Sequence, residues 1–201
     1  MVSQLELFDL SSLAPPAVRP DDWFFALRPP EADAIADLAR DEAGPRYPGK
    51  LIRPVNLHVT LYPVGDGSFV DSQLVARAIS AGALVRHKRF EVAFDRIQTF
   101  NGRGRYPIVL TCGQGADDIR ALRALIAEAM GRFGFPRHNK TITPHLTLWY
   151  DKNRIPDHEL AHPFTWTVQN FCLVHSIYGR AKHELHGPWP LQDQGDIHSP
   201  M

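Results

Sequence analysis

Two ten-residue stretches of this chain read as copies of one another, and any fold must seat both. The first is Arg53-Pro54-Val55-Asn56-Leu57-His58-Val59-Thr60-Leu61-Tyr62. The second is Lys140-Thr141-Ile142-Thr143-Pro144-His145-Leu146-Thr147-Leu148-Trp149. Each has a basic residue five positions before a His, then an aliphatic residue, a Thr, a Leu and an aromatic ring. Ten His and eight Thr scattered over 201 residues would yield only about 0.4 His-x-Thr triplets by chance, and the chain has two.

Alternation and β-branched or aromatic content mark both stretches as strands, in which residues i and i+2 share a face. The spacing predicts His58, Thr60 and Tyr62 on one face, with Leu57, Val59 and Leu61 on the other. In the second copy it predicts His145, Thr147 and Trp149 opposite Leu146 and Leu148. One face of each strand suits a core. The other presents an imidazole beside a hydroxyl.

Imidazole titrates near neutrality, so two of them across one cleft can divide the work of acid and base. A Thr hydroxyl beside each can donate to a non-bridging phosphoryl oxygen, where charge builds in the transition state. Such a site needs no metal and no cofactor. Tyr62 and Trp149, expected on the same faces as the Thr residues, are candidates for stacking a base.

The paired His-x-Thr motifs, the opening Trp23-Phe24-Phe25-Ala26-Leu27-Arg28-Pro29-Pro30, and the stretch from Phe133-Gly134-Phe135 to Leu148 resemble the two-histidine (2H) phosphoesterase superfamily. Within it the chain is most similar to the bacterial 2'-5' RNA ligase-like proteins, also called RNA 2',3'-cyclic phosphodiesterases. The resemblance runs from about Trp23 to Leu191. It implies an α+β, bilobal, pseudo-twofold fold, with two antiparallel sheets lining a central cleft and helices packed outside.

It also implies hydrolysis of a 2',3'-cyclic phosphate at an RNA or nucleotide end to a 2'-phosphate, with reversible 2'-5' ligation in some members. Carried over by motif, His58 and His145 are the acid/base pair, and Thr60 and Thr147 hold phosphate oxygens. The residues alone leave open which His plays which part; the resemblance implies His58 as acid and His145 as base. Close relatives carry an Arg shortly after the second motif, where this chain reads Leu148-Trp149-Tyr150-Asp151-Lys152. Arg53, Lys140, Lys152 and Arg154 are the candidate substitutes. The alternative reading is a non-catalytic RNA- or nucleotide-binding module using the same cleft.

Lys plus Arg equals Asp plus Glu, 22 each, so no overall field gathers long polyanions. That favours an RNA 2',3'-cyclic phosphate end or a small cyclic nucleotide over a length of duplex. Cys112 and Cys172 lack C-x-x-C spacing and read as buried free thiols in a reducing compartment. No apolar run approaches a membrane span, and the N-terminus has no secretory pattern. A cytoplasmic monomer is the expectation.

In order, residues 1–20 read as a flexible tail, 21–192 as one bilobal domain and 193–201 as a second tail. Trp23 to Leu27 predicts a strand, and Ala32 to Arg40 a helix ending before Gly44-Pro45. A second helix starts at Asp71 or Ser72 and is capped by one of them. Strands follow at Phe90 to Phe94 and Ile108 to Cys112. Asp117-Asp118 open a helix with Ile119, Leu122, Leu125, Ile126 and Ala129 on one side. Further strands are expected at Phe164–Val168 and Phe171–Val174, and the chain finishes with Leu185–Leu191 and a polar tail. His183, Glu184 and His186 lack the spacing of a helical zinc site.

Overall fold

The structure is a computed structural model describing residues 21–44, 51–66, 70–102, 104–136, 138, 141–177 and 183–193. The expected N-terminal tail, nearly all of the C-terminal one, and Lys140 lie outside the described residues.

Among the described residues, eight strands and three α-helices follow in the order β1 (Asp22–Leu27), α1 (Ala32–Ala43), β2 (Val59–Asp66), α2 (Ser72–Leu84), β3 (Phe90–Thr99), β4 (Tyr106–Cys112), α3 (Ala116–Arg132), β5 (His145–Asp151), β6 (His158–Val168), β7 (Asn170–Ser176) and β8 (Glu184–Pro190). A 3-10 turn at Pro54–Asn56 precedes the first motif. The helices form where the apolar spacing predicts. α3 buries Ile119, Leu122, Ile126, Ala129 and Met130, the stripe of a 3.6-residue period. Asp71 caps α2, its carboxylate accepting from the Leu74 amide at 2.8 Å and satisfying an otherwise orphaned donor.

The strands lie in the order β6-β3-β4-β5-β2-β1-β7-β8, and the described pairings are antiparallel. A repeat runs through this order. β1-α1-β2 and β4-α3-β5 are matching units whose strands are sheet neighbours, with β7 and β8 extending one and β3 and β6 the other. The two expected sheets are thus the halves of one eight-stranded sheet. They meet at one register pair between β2 and β5, Val59 with Leu146.

Each helix of the repeat also packs on the other half's motif strand, α1 on β5 and α3 on β2. The segment delivering the first motif is tied across as well. Leu51 bridges Trp149, and the Ile52 amide donates to the Leu148 carbonyl at 2.8 Å. One residue, Gln169, separates β6 from β7 although they stand far apart in the strand order, so the sheet bends sharply round. A parallel bridge between Lys88 and Gln192 fastens that turn.

One face of the sheet carries the main core, in which Phe25, Leu27, Val59, Leu61, Leu146 and Leu148 pack with the helices. α2 comes close enough to Trp189 that a Cβ at Gly82 would stand 2.9 Å from the ring. The opposite face holds a small second cluster, Phe24, Ala26, Cys172 and Val174. Both cysteines are free and buried. No described helix is long and apolar enough to cross a membrane.

Candidate active site

Antiparallel register fixes what surrounds the β2–β5 contact. With Val59 opposite Leu146, His58 comes opposite Thr147 and Thr60 opposite His145. Neighbouring residues on a strand face opposite ways. Val59 and Leu146, both fully buried, point into the core, so the two His and two Thr point out of the opposite face. The four side chains converge because two similar strands are paired about the middle of their motifs.

Both imidazoles are held alike. His58 Nδ1 lies 2.7 Å from the Asn56 carbonyl, and His145 Nδ1 lies 2.8 Å from the Thr143 carbonyl, two residues back in each case. A carbonyl only accepts, so Nδ1 bears the hydrogen in both rings and Nε2 is left for chemistry. The local cause is irregular backbone just before each His, a 3-10 turn at Pro54–Asn56 in the first copy and an irregular stretch at 141–144 in the second.

The surroundings differ between halves. His58 stacks on Phe24 with centroids 4.6 Å apart and meets the edge of His183 at 5.5 Å. Burial lowers its pKa from 6.5; the hydrogen bond to Asn56 opposes this, and the charges of His145 and Arg28 push further down. His145 is more open, with Phe100 edge-on at 4.9 Å. Thr60 is exposed and Thr147 half-buried.

Tyr62 and Trp149 correct the expectation. They are 0% and 1% exposed, so neither offers a face to a base. The cause is a β-bulge in each motif strand. Phe25 pairs with Tyr62 and Ala26 with Thr60, leaving Leu61 extra. Ile108 pairs with Trp149 and Val109 with Thr147, leaving Leu148 extra. An extra residue breaks the alternation, so each ring turns from its Thr to the core side. There the Tyr62 hydroxyl donates to the Pro136 carbonyl.

The candidate cations separate. Arg53 is exposed at the start of the turn before His58. Lys152 is exposed. Arg154 donates to Asn101 at 2.9 Å and to the Thr99 carbonyl at 3.1 Å, and lies over the Tyr106 ring.

Two residues that sequence reasoning passed over stand beside His58. Leu27 pairs with Val59, so Arg28 comes opposite His58 on the site's face; it donates to the Val55 carbonyl at 2.7 Å. Burial, with the charges of His58 and Arg28, holds His183 down at about 4. Its ring contacts Phe24 and His58, while that of His186 contacts Trp23. Among the described residues no three His, Cys, Asp or Glu side chains are grouped to hold a metal.

A family model of the 2'-5' RNA ligase superfamily matches residues 27–179, a span holding both motifs and most of the chain. The chain belongs to the 2'-5' RNA ligase superfamily. Membership of this superfamily of phosphoesterases and ligases makes the chain an enzyme by class, of phosphodiesterase type. No curated protein matches it in sequence. Among solved structures, E. coli LigT complexed with 3'-AMP superposes with a TM-score of 0.72 at 21% identity, covering 87% of this chain and 99% of that one. The Thermus thermophilus protein TT0787 gives 0.71 at 20% identity, covering 86% and 99%. E. coli LigT complexed with ATP gives 0.67 at 22%, covering 87% and 99%. These likenesses establish the fold of the 2'-5' RNA ligase superfamily over almost the whole chain.

Proposed function

We propose that this chain hydrolyses a 2',3'-cyclic phosphate at an RNA or nucleotide end, leaving a 2'-phosphate and a free 3'-hydroxyl. The observation that carries the reading is the register about Val59 and Leu146, which sets an imidazole against a hydroxyl twice over on one face. Nucleotides bound to E. coli LigT, 3'-AMP and ATP among them, support a ligand of this class.

In the step proposed, one Nε2 takes a proton from water as the water oxygen bonds to phosphorus. The bond from phosphorus to O3' breaks, and the other Nε2 delivers a proton to O3'. Thr60 and Thr147 donate to the non-bridging oxygens, which gather charge as the phosphorus becomes five-coordinate. Two imidazoles and two hydroxyls supply every proton movement and the oxygen contacts. With the 5'-hydroxyl of a second RNA in place of water, the same step forms a 2'-5' linkage, the ligation for which the superfamily is named.

The test is incubation with nucleoside 2',3'-cyclic phosphates in a chelator, with product identification. The reading expects a 2'-phosphate as sole product. Binding without cleavage would instead make the chain a recognition module, and activity lost to chelator and restored by zinc would remove the mechanism.

A further inference from the structure

A cavity of about 300 Å³ opens between the end of β1 and the turn joining β6 to β7, lined by Arg28, Trp166, Thr167, Gln169 and Asn170 among others. Register ties it to the candidate active site. Leu27 pairs with Val59 and Ala26 with Cys172, so Arg28 lies opposite His58 on one side and Asn170 on the other. It is the residue between the imidazole and the cavity, one strand spacing, about 4.8 Å, out from β2.

The charges around Arg28 are one-sided. Its guanidinium donates to the Val55 carbonyl, and no carboxylate among the described residues pairs with it. Its charge disfavours protonation of His58 and His183 and favours ionisation of the Cys172 thiol. A guanidinium with donors to spare and no counter-charge favours an anion, and its planar fork matches a phosphate. The cavity beyond has the means to hold a nucleoside. Gln169 and Asn170 carry amides, and Trp166, stacked on Phe94 at 4.9 Å, carries an aromatic surface. Its volume is at the small end of ligand sites, which start near ~300 Å³, and suits one nucleotide.

Resting on the reading that a cyclic phosphate is cleaved between the two His, we propose that Arg28 and this cavity form a subsite for the phosphate on the 5' side of the terminal nucleotide. The enzyme then distinguishes an RNA end, which carries that phosphate, from a bare nucleoside cyclic phosphate, which does not. Arg28 supplies the cation on the first-motif side that relatives supply after the second.

Equilibrium binding of two product analogues tests this without relying on turnover. Adenosine 2',5'-bisphosphate is expected to bind wild-type protein about ten-fold or more tighter than adenosine 2'-monophosphate, the size of a charge-assisted contact. Arg28→Gln should reduce that preference to about two-fold, and Arg28→Lys, which keeps the charge without the fork, should fall between. Arg132→Gln, remote on α3, should keep the full preference and so excludes a bulk charge effect. A wild-type preference below about two-fold overturns the subsite, as does Arg28→Gln retaining it. The preference without hydrolysis of any cyclic phosphate would sustain the subsite and remove the proposed reaction; hydrolysis without the preference would do the reverse.

Discussion

Val59 and Leu146 are direct cross-strand partners, both fully buried, and theirs is the one register pair that joins β2 to β5. Everything reactive on the opposite face takes its position from this contact. Leu146→Ala removes packing at the junction of the halves and should cost about 2–5 kcal/mol, as buried Leu truncations do. Because this pairing sets the two His directly against one another, kcat/KM should fall even where the variant is fully folded. Urea denaturation gives the first quantity and steady-state kinetics the second. Full activity in a destabilised variant would show that other contacts set the geometry.

The pH profile should carry the mark of His58. Burial, with the charges of His145 and Arg28, lowers its pKa, so the limb of kcat/KM that it governs lies below 6.5. Arg28→Gln takes away a positive charge that disfavours imidazolium, and that limb should move up. If it is the acid limb, His58 is the base; if it is the alkaline limb, His58 is the acid. No movement would place Arg28 outside its field.

Trp149 is a core residue here, not a platform for a base. Trp149→Ala should cost about 3–5 kcal/mol of stability, while Trp149→Phe, which keeps an aromatic body in the same bulged strand, should lose much less and leave KM for a cyclic nucleotide near that of the wild type. Thermal denaturation and kinetics on both variants check this. A KM raised several-fold in folded Trp149→Phe would return the ring to the cleft.

Burial pushes the Cys112 thiol up to about 12 and the Cys172 thiol to about 11. The thiolate is the reacting form, so at pH 8 both should be modified slowly by a thiol reagent in native protein and rapidly after unfolding. Time courses with and without denaturant give the answer. A disulfide recovered from protein prepared under air would contradict the separation of the two thiols.

Much of this was legible in the sequence, because the features that carry it are local. The helix starting at Ser72 is announced by the Asp71 that caps it, and α3 by its apolar stripe. The outward direction of His58 and Thr60 follows from their spacing of two. What failed to show depended on partners far along the chain. A bulge exists only relative to the opposing strand, so nothing in Leu61-Tyr62 or Leu148-Trp149 betrays that the alternation breaks there. Arg28 becomes a neighbour of His58 only once β1 is set against β2. β6 begins at His158, well before the expected Phe164, because pairing with β3 recruits a polar stretch lacking apolar alternation. Likewise the two halves share one sheet through a contact one residue wide.

The most direct test of the central claim is product analysis of wild-type protein, His58→Ala and His145→Ala on nucleoside 2',3'-cyclic phosphates in the presence of chelator. The account predicts a 2'-phosphate from the wild type and a loss of about 10²-fold or more in kcat for each variant, the range of one acid or base, with nucleotide affinity largely kept. Turnover persisting in either folded variant at near wild-type rate would contradict it.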